Sequence, residues 1–309
     1  MRFFHKFQTM NYRFFGLING IMFNITKKTK YTKTFFELND KYSPLINSDV
    51  KVKTSPKFPN KIWQLWLQGE DKMPPIVQKC TNTIKDFHND DVVMLTRETL
   101  EDYIKIPDYI IEKYKKGIIP HANFSDIIRL MLLAKYGGCW VDATVYLTGK
   151  IPEDILKADF FSYKSRFDIF LDKYLSIEQF KMISNNFNRT IAMESPYFFS
   201  AKPGSALINT LLNLLLNYWK RENSLVDYLM MDKFFVLSII KNHNCRREYL
   251  NMPVYYLENT LLLQHVLLEK FDNGLFERIK SMTSVHKLTH KNLHRNHYKD
   301  SFLKYILSK

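Results

Sequence analysis

Between His121 and Thr148 the chain reads HANFSDIIRLMLLAKYGGCWVDATVYLT, and its polarity pattern changes twice. Asn123, Ser125, Asp126 and Arg129 are polar, and Leu130, Met131, Leu132, Leu133 and Ala134 then follow without interruption. This spacing predicts a helix that is apolar all round past its first turns, the pattern of a helix buried in the protein. Asp126 and Arg129, three residues apart, face the same way on it. An exposed pair of this kind contributes only ~0.2–0.5 kcal/mol to a helix. Gly137 and Gly138 supply the positive φ that ends a helix and turns the chain. Beyond them Cys139, Val141, Ala143 and Val145 alternate with Trp140, Asp142, Thr144 and Tyr146. A period of two predicts one strand with the first set against a core. Asp is disfavoured in mid-strand, so Asp142 there requires a cation, a ligand hydroxyl or a buried partner.

The flanking pattern extends this unit into an α/β fold. Residues 59–69, PNKIWQLWLQG, read as a strand apolar enough to be buried on both faces. A helix over Pro74–His88 and a short buried strand over Asp91–Thr96 complete a βαβ unit with a parallel sheet. Arg97–Ile106 and Pro107–Lys116 read as two amphipathic helices closed by Gly117. Past Thr148 come a strand at Asp159–Tyr163, a polar and aromatic loop to about Arg189, and strands at Thr190–Glu194 and Tyr197–Ala201. A Pro-Gly turn leads into a long amphipathic helix through Trp219. Helices at Leu225–Lys241 and Asn259–Lys270 follow, and Met282–Lys291 reads as a last strand running into a basic loop. In such a sheet, ligands bind outside the carboxyl ends of the strands, where Asp142 is expected.

Length and charge refine the picture. The 309 residues suit one large or two small domains. Three scattered cysteines, Cys80, Cys139 and Cys245, argue for a reducing compartment and against a disulfide framework. The net charge of +14 sits at the ends: residues 1–60 hold 11 Lys and Arg against 3 acids, and residues 281–309 hold 6 against 1. The middle is nearly neutral. Basic, aromatic ends suit an anionic membrane surface or a phosphate-bearing substrate. No nucleic-acid-reading motif is present. The first 26 residues are too short and interrupted to span a bilayer and make a poor signal peptide. They suit either a segment lying on the membrane or a helix packed on the main domain.

The stretch FSDIIRLMLLAKYGGCWVDAT resembles the sugar-binding region with the DXD motif found in capsular polysaccharide synthesis proteins and related glycosyltransferases. Those relatives include the initiating-mannosyltransferase and glucosylating-toxin types. The shared pattern is Ser-Asp, two apolar residues, Arg, an apolar run, Tyr-Gly-Gly and Asp-x-Asp. Here Thr144 stands where the second Asp of DXD is usual. The resemblance implies a GT-A-like α/β fold: a single nucleotide-binding domain over residues 58–290 with a mixed, mainly parallel sheet and helical additions. Around it lie a basic aromatic N-terminal arm, 1–57, and a basic C-terminal helix or tail, 291–309. It also implies a glycosyltransferase of hexosyl type that takes a nucleotide-sugar donor, a UDP-sugar being favoured. The acceptor would be an oligosaccharide or lipid-linked glycan, and the place the cytoplasm or the inner face of a bacterial membrane.

By the same resemblance the donor base stacks near Trp66 rather than Trp63, with Gln64, Leu65, Trp140 and Lys287 as further donor contacts. Asp126 and Arg129 meet sugar hydroxyls, and Asp142 binds ribose, sugar or a metal-bridged diphosphate. Mn²⁺ or Mg²⁺ would be held by Asp142, Thr144 and His286, as oxygen-rich ligands suit hard cations. The ending HKLTH resembles the family's terminal strand. The cluster His286, His290, His294 and His297 is irregular in spacing and suits a solvated basic tail better than a metal tract. An aspartyl-phosphate phosphatase needs an acid two residues past its nucleophile, and Thr144 is not one. A degenerate transferase serving as a binding or scaffold protein is the non-enzymatic alternative, with Thr144 as its mark.

Overall fold

The structure is a computed structural model that describes residues 33–46, 54–55, 60–165, 196–291, 293 and 299–309. Residues 1–26, expected to lie on a membrane or to pack as a helix on the main domain, the expected strand Thr190–Glu194, His294 and His297 lie outside those residues. The chain forms a mixed α/β fold around a five-stranded sheet of order β2-β1-β3-β6-β5. These are β1 (Ile62–Leu65), β2 (Val92–Leu95), β3 (Gly138–Val141), β5 (Phe160–Ser162) and β6 (Phe198–Ala201). β1 pairs in parallel with β2 and β3, while β6 runs antiparallel to both β3 and β5. Four of the five strands therefore point one way. A separate antiparallel pair joins β4 (Val145–Leu147) to β7 (Val285–Lys287).

Period-two alternation explains how the sheet is covered. Trp63, Trp140, Phe160 and Phe199 point into a helical core, and Ile62, Cys139, Val141, Phe161 and Phe198 into a second cluster on the other face. The helical side is built by His121–Tyr136, Ala206–Arg221 and Met230–Lys241. Gly137 (φ 67°) and Gly138 (φ 92°) turn the chain from helix to β3. A Cβ on Gly138 would stand 2.2 Å from the Lys61 carbonyl oxygen, so only glycine lets β3 enter beside β1.

Several expectations need correction. The strand expected to run unbroken from Cys139 to Tyr146 is two strands: β3 ends at Val141, Asp142–Thr144 make a turn, and β4 belongs to the second sheet. The turn is closed by Val145 N–H donating to the Asp142 carbonyl at 2.9 Å. Asp142 is thus an edge residue, which removes the conflict with strand propensity. Residues 97–106 hold only a short 3-10 turn, Leu100–Asp102. Helices His243–Asn251 and Asn273–Met282 were not foreseen.

Neither described end is a loose appendage. Phe35, Leu38 and Tyr42 of the helix 33–42 are buried in the main core. Phe302, Leu303 and Ile306 pack with Ile76, Val77 and Cys80, so residues 299–309 are not a solvated tail. Among the described residues, no helix is long and apolar enough to cross a membrane.

Candidate active site

Because β1 and β3 are parallel and paired, their carboxyl ends open on the same edge of the sheet. A cleft of about 660 Å³ lies there. Its walls come from Leu65 and Trp66 after β1, Asn123, Asp126 and Arg129 of the buried helix, Asp142–Thr144 after β3, and Lys287–Lys291 around the end of β7.

Four charges form its floor. Arg129, 5% exposed, donates to Asp126 Oδ1 at 2.7 Å and to Asp142 Oδ1 at 3.2 Å. Its guanidinium lies 5.0 Å from the Trp140 ring centre, and Trp140 Nε1 donates to Asp142 Oδ1 at 2.9 Å. On the other side, Lys287 Nζ donates to Asp142 Oδ2 at 3.0 Å and to Thr144 Oγ1. Both oxygens of Asp142 are therefore held by cations. Burial works to raise the Asp142 carboxyl, but the charges of Lys287 and Arg129 and the hydrogen bonds from Trp140 and Lys287 outweigh it and hold it below its ordinary value. Asp126 goes the other way, pushed up to about 6 by burial, with Asp142 adding to the rise and Arg129 opposing it. One carboxyl is thus held below its ordinary value, while its neighbour is raised to about 6.

The structure places the expected residues unequally. Asp126, Arg129, Trp140, Asp142, Thr144, Leu65, Trp66 and Lys287 all line the cleft. Trp63 does not: it is fully buried and donates to the Gly137 carbonyl at 2.8 Å. Gln64, expected at the donor, is fully buried in β1 and is not part of the cleft wall. It sits one position from Leu65, and the pleat sends it to the other side.

His286 is displaced for the same reason. Lys287 faces the cleft, so its neighbour His286 is turned away, fully buried, with Nε2 2.9 Å from Thr148 Oγ1. Burial pushes its imidazole down to about 4. The metal set of Asp142, Thr144 and His286 is therefore not brought together. Among the described residues no group of three or more His, Cys, Asp or Glu could hold a metal ion. An ammonium already occupies the oxygens that a cation would use. Unit charges 4 Å apart interact by about 4 kcal/mol at the effective permittivity of a protein surface, so a dication beside Lys287 and Arg129 would be opposed. Among the described residues the donor set does not fit a divalent metal.

Other lining residues escaped notice. Asn123 lies one helical turn before Asp126 and is 3% exposed, and its Oδ1 has no hydrogen-bond partner. Its i,i+3 spacing from Asp126 was a usable signal. Trp66 Nε1 is a second unpartnered atom of this wall. Tyr197, Tyr228 and Gln264 arrive from distant segments, and nothing local in the sequence marks them. Gln264 Oε1 accepts from Thr289 N–H at 2.7 Å and ties the loop after β7 to the wall.

No curated protein matches the chain in sequence. Among solved structures, the PaToxG glycosyltransferase is a distant likeness, at 12% identity and a TM-score of 0.39, over 72% of this chain and 84% of that one. The pattern of the capsular polysaccharide synthesis protein family matches residues 18–306, and the chain belongs to that family.

Proposed function

We propose that this protein is a glycosyltransferase with a GT-A-like nucleotide-binding domain. It moves a sugar from a nucleoside-diphosphate donor, with UDP-sugars favoured, to a growing surface-polysaccharide acceptor. The observation that carries this reading is the charge array Asp126–Arg129–Asp142–Lys287 on the floor of a cleft at the carboxyl edge of the sheet. An anionic leaving group needs fixed positive charge where its own charge develops, and Lys287 supplies that in the cleft wall. A sugar needs hydroxyl acceptors, and Asp126 has only its Oδ1 engaged by Arg129. A base needs an aromatic surface, and Trp66 stands at the rim with its ring 5.6 Å from that of His290.

Roles follow from these placements. Asp126 and Asn123 accept from sugar hydroxyls. Arg129, committed to two carboxylates, is a positioning residue. Asp142 holds Arg129 and Lys287 in register with each other. The bond from the anomeric carbon to the diphosphate oxygen breaks, and its electron pair stays on the diphosphate. The acceptor hydroxyl oxygen forms the new bond and releases its proton to water. The acceptor is an oligosaccharide or lipid-linked glycan, and the basic ends of the chain hold the protein against an anionic membrane face.

A donor-hydrolysis and calorimetric screen against a panel of nucleotide sugars tests the reading. One donor should bind and be hydrolysed slowly, and Asp142→Asn should lower that hydrolysis by about 10²-fold or more. A panel with neither binding nor turnover would leave the scaffold alternative standing.

A further inference from the structure

We propose that Lys287 is the resident cation of this site, so that the nucleoside diphosphate is held and released without a divalent metal. The inference rests on the nucleotide-sugar reading above and narrows it. Lys287 Nζ donates to Asp142 Oδ2 at 3.0 Å and to Thr144 Oγ1. An ammonium carries three donors, so one N–H remains. The side chain is 24% exposed and forms part of the cleft wall, which leaves that donor for a diphosphate oxygen.

The charges of the floor balance without any added ion. Asp126 and Asp142 are matched by Arg129 and Lys287. Thr144 makes this balance possible. A carboxylate at position 144 would give the turn a second acid, the pairing that a hard dication seeks. A hydroxyl instead accepts from an ammonium and leaves no charge unmatched. The further acid on the cleft wall, Asp232, is buried on the helix Met230–Lys241 and forms no metal-holding group with the others.

The ammonium is also fixed in place. Lys287 pairs with Val145 across β4 and β7, and the next residue, Leu288, donates its N–H to the Thr144 carbonyl at 2.9 Å. The backbone that carries the cation is thus clamped to the turn that carries Asp142 and Thr144. A charge held this way needs no reorganisation when the diphosphate departs. Lys287 meets the negative charge left on that group by the broken bond and keeps its own protons.

The test is calorimetric binding of nucleoside diphosphates (uridine, guanosine, cytidine, adenosine and thymidine) to the chelator-treated full-length protein, with and without Mn²⁺. At least one diphosphate should bind in chelator, with an affinity that Mn²⁺ leaves unchanged. Lys287→Met keeps the aliphatic stem and should weaken it at least about tenfold, the scale of one hydrogen bond to a charged group. Lys287→Arg should restore most of the affinity. Binding that appears only with Mn²⁺, or a Lys287→Met protein that binds as tightly as the parent, overturns the inference while leaving the donor class intact. If no diphosphate binds under either condition, the nucleotide-sugar reading itself falls, and the role of Lys287 falls with it.

Discussion

The floor and the rim of the cleft are built on opposite principles. On the floor the four charges are cross-paired, and Arg129 bridges two carboxylates while 5% exposed. At the rim, Tyr228 is 73% exposed and Lys291 is exposed, while Trp66 Nε1 and Asn123 Oδ1 lie buried in the walls without a hydrogen-bond partner. The floor's charges are paired with one another before any ligand arrives, while Arg129 Nε, Asp126 Oδ2 and one Lys287 N–H are left over. The exposed side chains of the rim are free to meet a ligand. The contrast assigns geometry and charge to the floor, and recognition to the rim.

The largest effect should come from Arg129. Its replacement by Ala leaves the half-buried carboxylates of Asp126 and Asp142 without their shared partner, and the cost of breaking a buried pair, about 3–5 kcal/mol, is the upper bound for that loss. Urea unfolding of Arg129→Ala should show a loss of up to that size. A loss below that of an exposed helix pair would mean that the floor is not held together by these pairs. Asp142→Asn keeps the shape but removes the negative charge shared by Arg129 and Lys287, and turnover should fall by about 10²-fold or more, as when one electrostatic contact to a transition state is lost. Donor affinity measured alongside separates that loss from weakened binding.

Trp66→Ala tests the rim. Loss of base stacking is worth ~1–3 kcal/mol by analogy with other base–aromatic stacks. The free nucleoside diphosphate should weaken as much as the intact donor, with unfolding unchanged. Equal affinity in parent and variant would remove the base from this wall.

The last effect is a pH dependence at the junction of the two regions. Asp126 titrates at about 6 in the folded chain against an ordinary 3.8. Between those values the folded state keeps a proton that the unfolded state has lost, so this group's contribution to stability falls as pH rises from about 4 to 6. The stability of the parent relative to Asp126→Asn should decline over that window and then level off. Donor affinity should move oppositely, weakening below about pH 6 as the carboxylate that receives the sugar hydroxyl is protonated. A flat difference across the window would mean that burial does not raise this carboxyl.

Much of this was legible locally because it depends on local rules. The apolar run after Arg129 predicted the buried helix, and burial of Leu130, Leu132, Leu133 and Ala134 follows from it. Gly137 and Gly138 marked a turn that a Cβ would block. The i,i+3 spacing of Asp126 and Arg129 gave their contact directly. Alternation was less reliable where the chain left the sheet. It carried one strand through Asp142, where the chain in fact turns and joins a different sheet.

The sequence by itself determined the helix–glycine–strand unit, the polar pair on its first turns and an acid just beyond. Tertiary structure decided which cation meets that acid. Lys287 lies 145 residues away, brought in only because β7 pairs with β4. The same pairing sent His286 into the core, since neighbouring residues on a strand face opposite ways. The pairing of β1 with β2 and β3 likewise holds Trp63 inside the sheet, sealed against Gly137, while Trp66, past the end of β1, reaches the cleft. Periodicity specifies which residues share a face. The long-range pairing of strands decides what that face meets, because a ladder contact depends on register between segments far apart in the chain.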